Sequence, residues 1–142
     1  MLFIELSVAN KMIADVESDN QERCGFFFGH ENKINRTITK SLVVENTASR
    51  NRQTNFEIST EDYLKAERIA EEESLTFLGV YHSHPNHPAI PSDYDLEMAL
   101  PCFSYIIISV IDKKFTKIRS WQLNKHLEFK EEEIEFIQSS LN

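Results

Sequence analysis

Two histidines separated by one residue, His82 and His84, stand at the end of the apolar run 77–81. Side chains at positions i and i+2 of a strand point to the same side, so the two imidazoles are expected to project together. Pro85 follows at once and cannot continue a central ladder, so the strand should stop there, near the edge or end of its sheet. Two neighbouring imidazoles at a strand end can chelate one metal ion.

A carboxylate follows on the far side of a proline-rich loop. Ser92 is a good helix N-cap, and Asp95 falls in the first turn of the predicted helix, where the helix dipole favours negative charge. A strand–loop–helix hairpin can bring Asp95 back beside the two histidines. Two imidazoles and one carboxylate leave a tetrahedral zinc ion one open position for water, which is the pattern of a catalytic site. Nitrogen and oxygen ligands also fit zinc better than they fit iron–sulfur clusters or copper, which would call for thiolate ligands.

A general base is still needed, and Glu22 is the candidate because it stands just before a buried aromatic strand. Spacing alone cannot distinguish Glu22 from the other acidic residues of the chain. Ser83 should face the opposite side of its strand from the histidines and have a structural role. His87 lies in the loop and is predicted to be exposed and non-catalytic.

Helices and strands alternate along the part of the chain that must position these residues. Helices are predicted over 7–18, 60–73 and 92–99, the second with Ser59 and Asp62 as a capping box. Strands are predicted over 24–29, 34–44, 56–58, 75–84, 105–111 and 115–123, and residues 128–141 are compatible with either type. Interleaved strands and helices indicate a mixed α/β domain.

Composition narrows the possible partners. The chain has 142 residues and a formal net charge of −8, which disfavours binding to nucleic acid. No apolar window reaches the roughly 18 residues of a membrane span, and the N-terminus makes a poor signal peptide, so we expect a cytoplasmic protein. The two cysteines, Cys24 and Cys102, are expected to be buried, reduced thiols.

The segment from Glu22 to Gly29, followed by His82-Ser83-His84, Ser92 and Asp95, resembles the JAMM motif of the MPN-plus zinc metallopeptidases, most closely their small bacterial branch. The resemblance covers roughly residues 20–120. It implies a single MPN-like, cytidine-deaminase-like domain over residues 1–142, built from a curved mixed sheet flanked by helices.

The same resemblance implies a role for each of these residues. His82, His84 and Asp95 would hold one zinc ion with a bound water, Glu22 would act as general base and carry the proton to the leaving amine, and Ser92 would stabilise the oxyanion. The reaction implied is hydrolysis of a peptide or isopeptide bond. Its expected substrate is the C-terminal tail of a ubiquitin-like or sulfur-carrier protein.

Two alternatives remain open from the sequence. Some MPN relatives have lost their ligands and serve as non-catalytic scaffolds, whereas this chain keeps every ligand position. DNA-associated proteins of the RadC type look similar around the histidines but usually carry Asn and Gly where this chain has Ser83 and Asn86. Zinc deaminases are excluded, because Pro101-Cys102 is not followed by the second cysteine of their signature.

Overall fold

The computed structural model describes residues 1–139, which form eight strands and three helices. The strands are β1 (Leu2–Glu5), β2 (Cys24–Glu31), β3 (Arg36–Val44), β4 (Thr76–Pro85), β5 (Ser104–Ile111), β6 (Lys114–Leu123), β7 (Phe129–Glu132) and β8 (Ile134–Ile137). The helices are α1 (Leu6–Glu17), α2 (Thr60–Glu72) and α3 (Asp93–Met98).

All eight strands belong to one mixed sheet with the order β7-β6-β5-β4-β2-β3-β1-β8. β4 runs parallel to β5, and β1 runs parallel to β3 and β8, whereas the other neighbours are antiparallel. The two edge strands, β7 and β8, are separated in the chain by Glu133 alone. The sheet therefore curves until its edges nearly meet, which confirms the predicted α/β architecture of a curved mixed sheet flanked by helices.

Alternation along β2 divides the apolar side chains between two cores. Phe27 packs in the core that contains Met12 of α1, whereas Phe26 and Phe28 point the other way and pack in the core that contains Ala66 of α2. Successive side chains of a strand face opposite sides of the sheet, so a run of three phenylalanines can fill both cores. The central strands are therefore covered on each face by a helix.

Three expectations from the sequence need correction. Residues 56–58 form no strand, because the main chain of Glu57 bonds to Asn46 and Thr47 within one loop instead of to a neighbouring strand. Cys102 is exposed in a turn, although Cys24 is fully buried as predicted. β4 does end at Pro85, but it lies in the middle of the sheet.

The two ends of the chain add strands that the sequence did not specify. The N-terminal residues form β1, and the ambiguous region 128–141 contains β7 and β8, while its last two residues lie outside the part of the chain that is described. No helix within residues 1–139 is both long enough and apolar enough to cross a membrane.

Gly79 is a point of close contact between β4 and β5. A Cβ atom at this position would lie 1.9 Å from the main-chain oxygen of Ser104 and 2.6 Å from Cζ of Phe27. Because backbone cannot move aside cheaply, we expect Gly79→Ala to lower the free energy of unfolding by about 1–3 kcal/mol. Chemical denaturation measures this change, with Lys117→Ala on the exposed face of β6 as the control. An unchanged stability would contradict the crowding at this position.

Candidate active site and metal centre

The two histidines lie side by side at the end of β4, with their ring centroids 4.9 Å apart. Both side chains are buried, with His82 1% and His84 8% exposed. The Nδ1 atom of His84 is 2.9 Å from the main-chain oxygen of Pro88. A carbonyl oxygen can only accept, so Nδ1 carries a proton, and in the neutral imidazole Nε2 is then the nitrogen with the free lone pair. The backbone thus prepares the tautomer that a metal ligand needs.

Asp95 reaches both histidines from the first turn of α3. Its Oδ1 atom lies 3.3 Å from Nε2 of His82, and its Oδ2 atom lies 3.2 Å from Nε2 of His84. The carboxylate is held by a capping box, in which the Asp95 amide donates to Ser92 Oγ and the Ser92 amide donates to Asp95 Oδ2. The same local rule that starts the helix therefore fixes the carboxylate against the imidazoles.

The protonation behaviour of these groups follows from that contact. Burial opposes ionisation of Asp95, but the nearby charge of His82 and the bonds from His84 and the Ser92 amide outweigh it and lower the pKa of Asp95 to about 2. Burial likewise acts to lower the pKa of His84, yet its bonds to Asp95 and Pro88 raise that pKa above the ordinary value. Asp95 thus presents an ionised carboxylate to both rings.

Glu22 completes the cluster from the segment between α1 and β2. Its side chain is 3% exposed, and Oε1 lies 3.4 Å from Nδ1 of His82. The pairing of β2 with β4 sets this distance, because Cys24 stands opposite His82 in the antiparallel register. Residues that are 60 positions apart in the chain therefore meet at one end of the sheet.

Ser83 connects β4 to the segment that contains Glu22. Its side chain points to the side of β4 opposite to the two histidines. Its amide donates to the main-chain oxygen of Arg23 at 2.9 Å, and its Oγ atom accepts from the Arg23 amide at 2.8 Å. This exchange extends the β2–β4 ladder by one side-chain bond. It holds the residue next to Glu22 against the strand that carries the histidines.

A buried charge anchors Arg23 to helix α1. The Asp15 carboxylate accepts from Nε and Nη2 of Arg23 at 3.0 and 2.7 Å, and its other oxygen accepts from the Tyr81 hydroxyl at 2.8 Å. Burial and the charge of Asp15 both raise the pKa of Tyr81, so its hydroxyl stays protonated and can donate. Helix α1, the Glu22 segment and β4 are therefore tied together beside the cluster.

Aromatic contacts that the sequence did not predict support His82. The ring of Phe56 stacks on the imidazole with centroids 4.4 Å apart and planes 26° apart. The Tyr94 hydroxyl donates to the Phe56 main-chain oxygen at 3.0 Å. No spacing in the sequence indicates this contact, because Phe56 lies in an irregular loop more than twenty residues before the histidine.

The cluster opens on two sides. An open groove of about 400 Å³ gives access to Glu22, His84 and Ser92. A smaller recess of about 50 Å³ lies beside His82 and Asp95 and has mostly aromatic and apolar walls. The other residues that line the groove are Thr54, His87, Pro88 and Ile90. His87 is exposed, as the sequence predicted, and it contributes a polar side chain to that wall together with Thr54.

The chemistry of the cluster fits a divalent cation. One ligand atom from each of Glu22, His82 and His84 can be chosen so that all three lie within 4.8 Å of one another. This group shares both histidines with the predicted ligand set but has Glu22 in place of Asp95, which contacts the histidines through their Nε2 atoms. Among residues 1–139, no Lys or Arg pairs with Glu22 or Asp95. Two buried carboxylates that have no Lys or Arg partner among the described residues favour a bound cation.

Cys24 has no nucleophilic character, although it stands opposite His82. Burial raises the pKa of the Cys24 thiol to about 12, and Sγ donates to the Val44 main-chain oxygen at 3.6 Å. Reactive cysteines have a lowered pKa and solvent access, and Cys24 has neither. The chemistry of this site therefore rests on its imidazoles, carboxylates and hydroxyl group.

The sequence shows the family to which the chain belongs. Residues 6–124 match the family of prokaryotic homologs of the JAB domain, so the chain is a member of that family.

Relatives of known structure span nearly the whole chain. A protein of Desulfitobacterium hafniense, known from its solution structure, superimposes with a TM-score of 0.85 at 26% identity and covers 98% of this chain and 94% of its own. A protein of Salinibacter ruber gives a TM-score of 0.72 at 32% identity and covers 94% and 90%.

Two named relatives match over shorter stretches. A desampylase of Pyrococcus furiosus is 42% identical over 82 residues, which is 58% of this chain and 54% of the relative. A probable TtuB-protein conjugate cleaving protease of Thermus thermophilus is 46% identical over 44 residues, which is 31% of this chain and 30% of the relative. The chain thus aligns with about half and about a third of these two relatives.

The bond from the Arg23 amide to Ser83 makes a testable contribution to stability. Ser83→Ala leaves that amide without its acceptor, so we expect the free energy of unfolding to fall by about 1–3 kcal/mol in chemical denaturation. Ser120→Ala is the matched control: Ser120 is also fully buried on a strand, but its Oγ atom has no partner within residues 1–139. Its removal should be neutral or stabilising. Equal losses in both variants would contradict the proposed importance of the Arg23–Ser83 bond.

Proposed function

We propose that this chain is a JAMM-type zinc metallopeptidase that hydrolyses a peptide or isopeptide bond at the C-terminal tail of a ubiquitin-like or sulfur-carrier protein. The observation that carries the proposal is the buried contact of Glu22, His82, His84 and Asp95 beside an open groove that Glu22 and His84 line. The names of the two partial relatives, a desampylase and a conjugate cleaving protease, support the same class of substrate.

In this proposal His82, His84 and Asp95 hold the zinc ion. Support comes from the donor set, which consists of two imidazoles and an ionised carboxylate in mutual contact. Zinc bound by such a set would act as a Lewis acid that lowers the pKa of bound water to about 7 and polarises a carbonyl group. The hydrogen bond from His84 to Pro88 and the capping box on Asp95 fix both side chains in orientation before any ion arrives.

Glu22 is assigned as the general base. Its carboxylate lines the groove beside His84 and Ser92, where a scissile bond can approach. Glu22 would take a proton from the attacking water and deliver it to the leaving amine, which a positioned carboxylate accelerates by about 10²- to 10⁴-fold. Burial at 3% exposure keeps bulk water from competing for that proton.

Ser92 is assigned to the oxyanion that forms on the substrate. Its Oγ atom already accepts from the Asp95 amide, so the hydroxyl hydrogen remains available to donate into the groove. One well-placed donor of this kind is worth about 2.7–4 kcal/mol in kcat. Ser92 thus has a double task, to cap α3 and to contact the reacting carbonyl.

The groove itself favours an extended tail as the substrate. It is open to solvent, its walls include the apolar residues Pro88 and Ile90, and Glu22 is among the residues that line it. A flexible C-terminal tail can enter such a groove without unfolding its own domain. The net charge of −8 disfavours nucleic acid as a partner, and a cytoplasmic location stays a prediction.

Metal analysis tests the proposed ligand set. After gentle purification we expect about one zinc per chain, and added zinc should raise the melting temperature, because a ligand that binds only the folded state stabilises it. His84→Ala should lose both effects. His87→Ala, an exposed neighbour in the same groove, should keep them. Less than about a tenth of an equivalent of zinc in the unaltered protein would favour a non-catalytic scaffold.

Cleavage of a carrier fusion tests the role of Glu22. The probe is a ubiquitin-like sulfur-carrier protein with a short C-terminal extension, and release of the extension is followed by mass spectrometry. Glu22→Gln should lower kcat/KM by about 10²- to 10⁴-fold while zinc content is retained. Glu128→Gln, an exposed carboxylate in a loop, should cleave at the unaltered rate. Cleavage by Glu22→Gln at the unaltered rate would contradict general-base catalysis by Glu22.

A further inference from the structure

Glu22 lies outside every helix and strand, so its position depends on contacts with its main chain. Its amide donates to the Arg52 main-chain oxygen at 2.6 Å, and its main-chain oxygen accepts from Nδ2 of Asn46 at 2.9 Å. Both partners belong to the loop between β3 and α2. The loop therefore holds Glu22 from the side opposite to Ser83 and β4.

Asn46 is the centre of that loop. Its Nδ2 atom donates to the main-chain oxygens of Glu22 and Asn55 at 2.9 and 3.0 Å. Its Oδ1 atom accepts from the amides of Ala48 and Glu57 at 3.0 and 3.1 Å. A side-chain amide offers two donor hydrogens and two lone pairs, so every bond that Asn46 can make is made. This arrangement also determines which way the amide faces, because the opposite orientation would set oxygen against two carbonyls.

We propose that Asn46 is a positioning residue for the general base, an inference that rests on the function proposed for Glu22. The acceptor half of its amide orders the loop, and the donor half couples that loop to the main chain of Glu22. Asn46 itself does not line the groove and makes no hydrogen bond to His82, His84 or Asp95 within residues 1–139. Its effect on turnover is therefore exerted through the place of the Glu22 carboxylate.

The chemistry of the site explains why an amide stands at position 46. Aspartate keeps the acceptor for Ala48 and Glu57 but sets a carboxylate oxygen against the carbonyls of Glu22 and Asn55. Serine is too short to span the loop and reach Glu22. Only a group with donor and acceptor on one short arm satisfies both halves of the network.

The first test compares Asn46→Asp with Asn124→Asp. In both residues Oδ1 accepts from two loop amides, but only Asn46 also donates to a main chain in the site. With the carrier fusion as substrate, we expect Asn46→Asp to lower kcat by about 10- to 100-fold. KM should stay close to the unaltered value, because Asn46 does not touch the substrate groove. Asn124→Asp should leave both constants unchanged.

A double-mutant cycle separates positioning from general damage to the fold. In a Glu22→Gln background the base is already gone, so Asn46→Asp should cost only about twofold or less. A merely structural role would cost the same factor in both backgrounds, and that result would overturn the inference. Asn46→Ser repeats the cycle without introducing a charge, in case the aspartate variant does not fold.

Hydrogen exchange measures the coupling between Asn46 and the Glu22 main chain without depending on turnover. The Glu22 amide should exchange faster in the folded Asn46 variants than in Asn124→Asp, and unchanged exchange would contradict the coupling. The outcomes also separate the two proposals. If Glu22→Gln cleaves like the unaltered protein, the proposed function fails. If Glu22→Gln is impaired and the Asn46 variants turn over normally, only the positioning role fails.

Discussion

The antiparallel pairing of β2 with β4 sets Cys24 opposite His82, and the rest of the site depends on this register. A shift of one residue would turn the imidazoles to the other face of the sheet. The pairing continues past the end of β2 through the exchange between Arg23 and Ser83. Glu22 therefore comes to rest beside His82 although no regular element contains it.

In the proposed function, the Asp95 carboxylate serves both the fold and the chemistry. Asp95 accepts from the Ser92 amide through Oδ2 in the capping box of a six-residue helix, while Oδ1 contacts His82 and Oδ2 contacts His84. Such a short helix has little stability of its own, so the cap and the contact with the histidines strengthen each other. A cation between these groups would relieve two buried negative charges, which links metal binding to the stability of the folded state.

Hydrogen bonds from three elements hold the segment that contains Glu22 and Arg23. Glu22 and Arg23 are bonded on one side to the β3–α2 loop, on another to β4, and through Asp15 to helix α1. The general-base role proposed for Glu22 would benefit from this support, because a base works best when its position does not fluctuate. Hydrogen bonds of main-chain groups near the site therefore help to fix the side chains that line it.

Short-range rules predicted from the sequence most of the helices and central strands, and the local parts of the site. The i, i+2 spacing of His82 and His84, the cap at Ser92 and the first-turn place of Asp95 all follow from rules that act within a few residues. The tertiary structure decided what joins distant segments: Glu22 beside His82, Phe56 on its ring, and Asn46 at the centre of a loop wrongly expected to end in a strand. These contacts depend on sheet register and on main-chain hydrogen bonds, which leave no pattern in the order of residues.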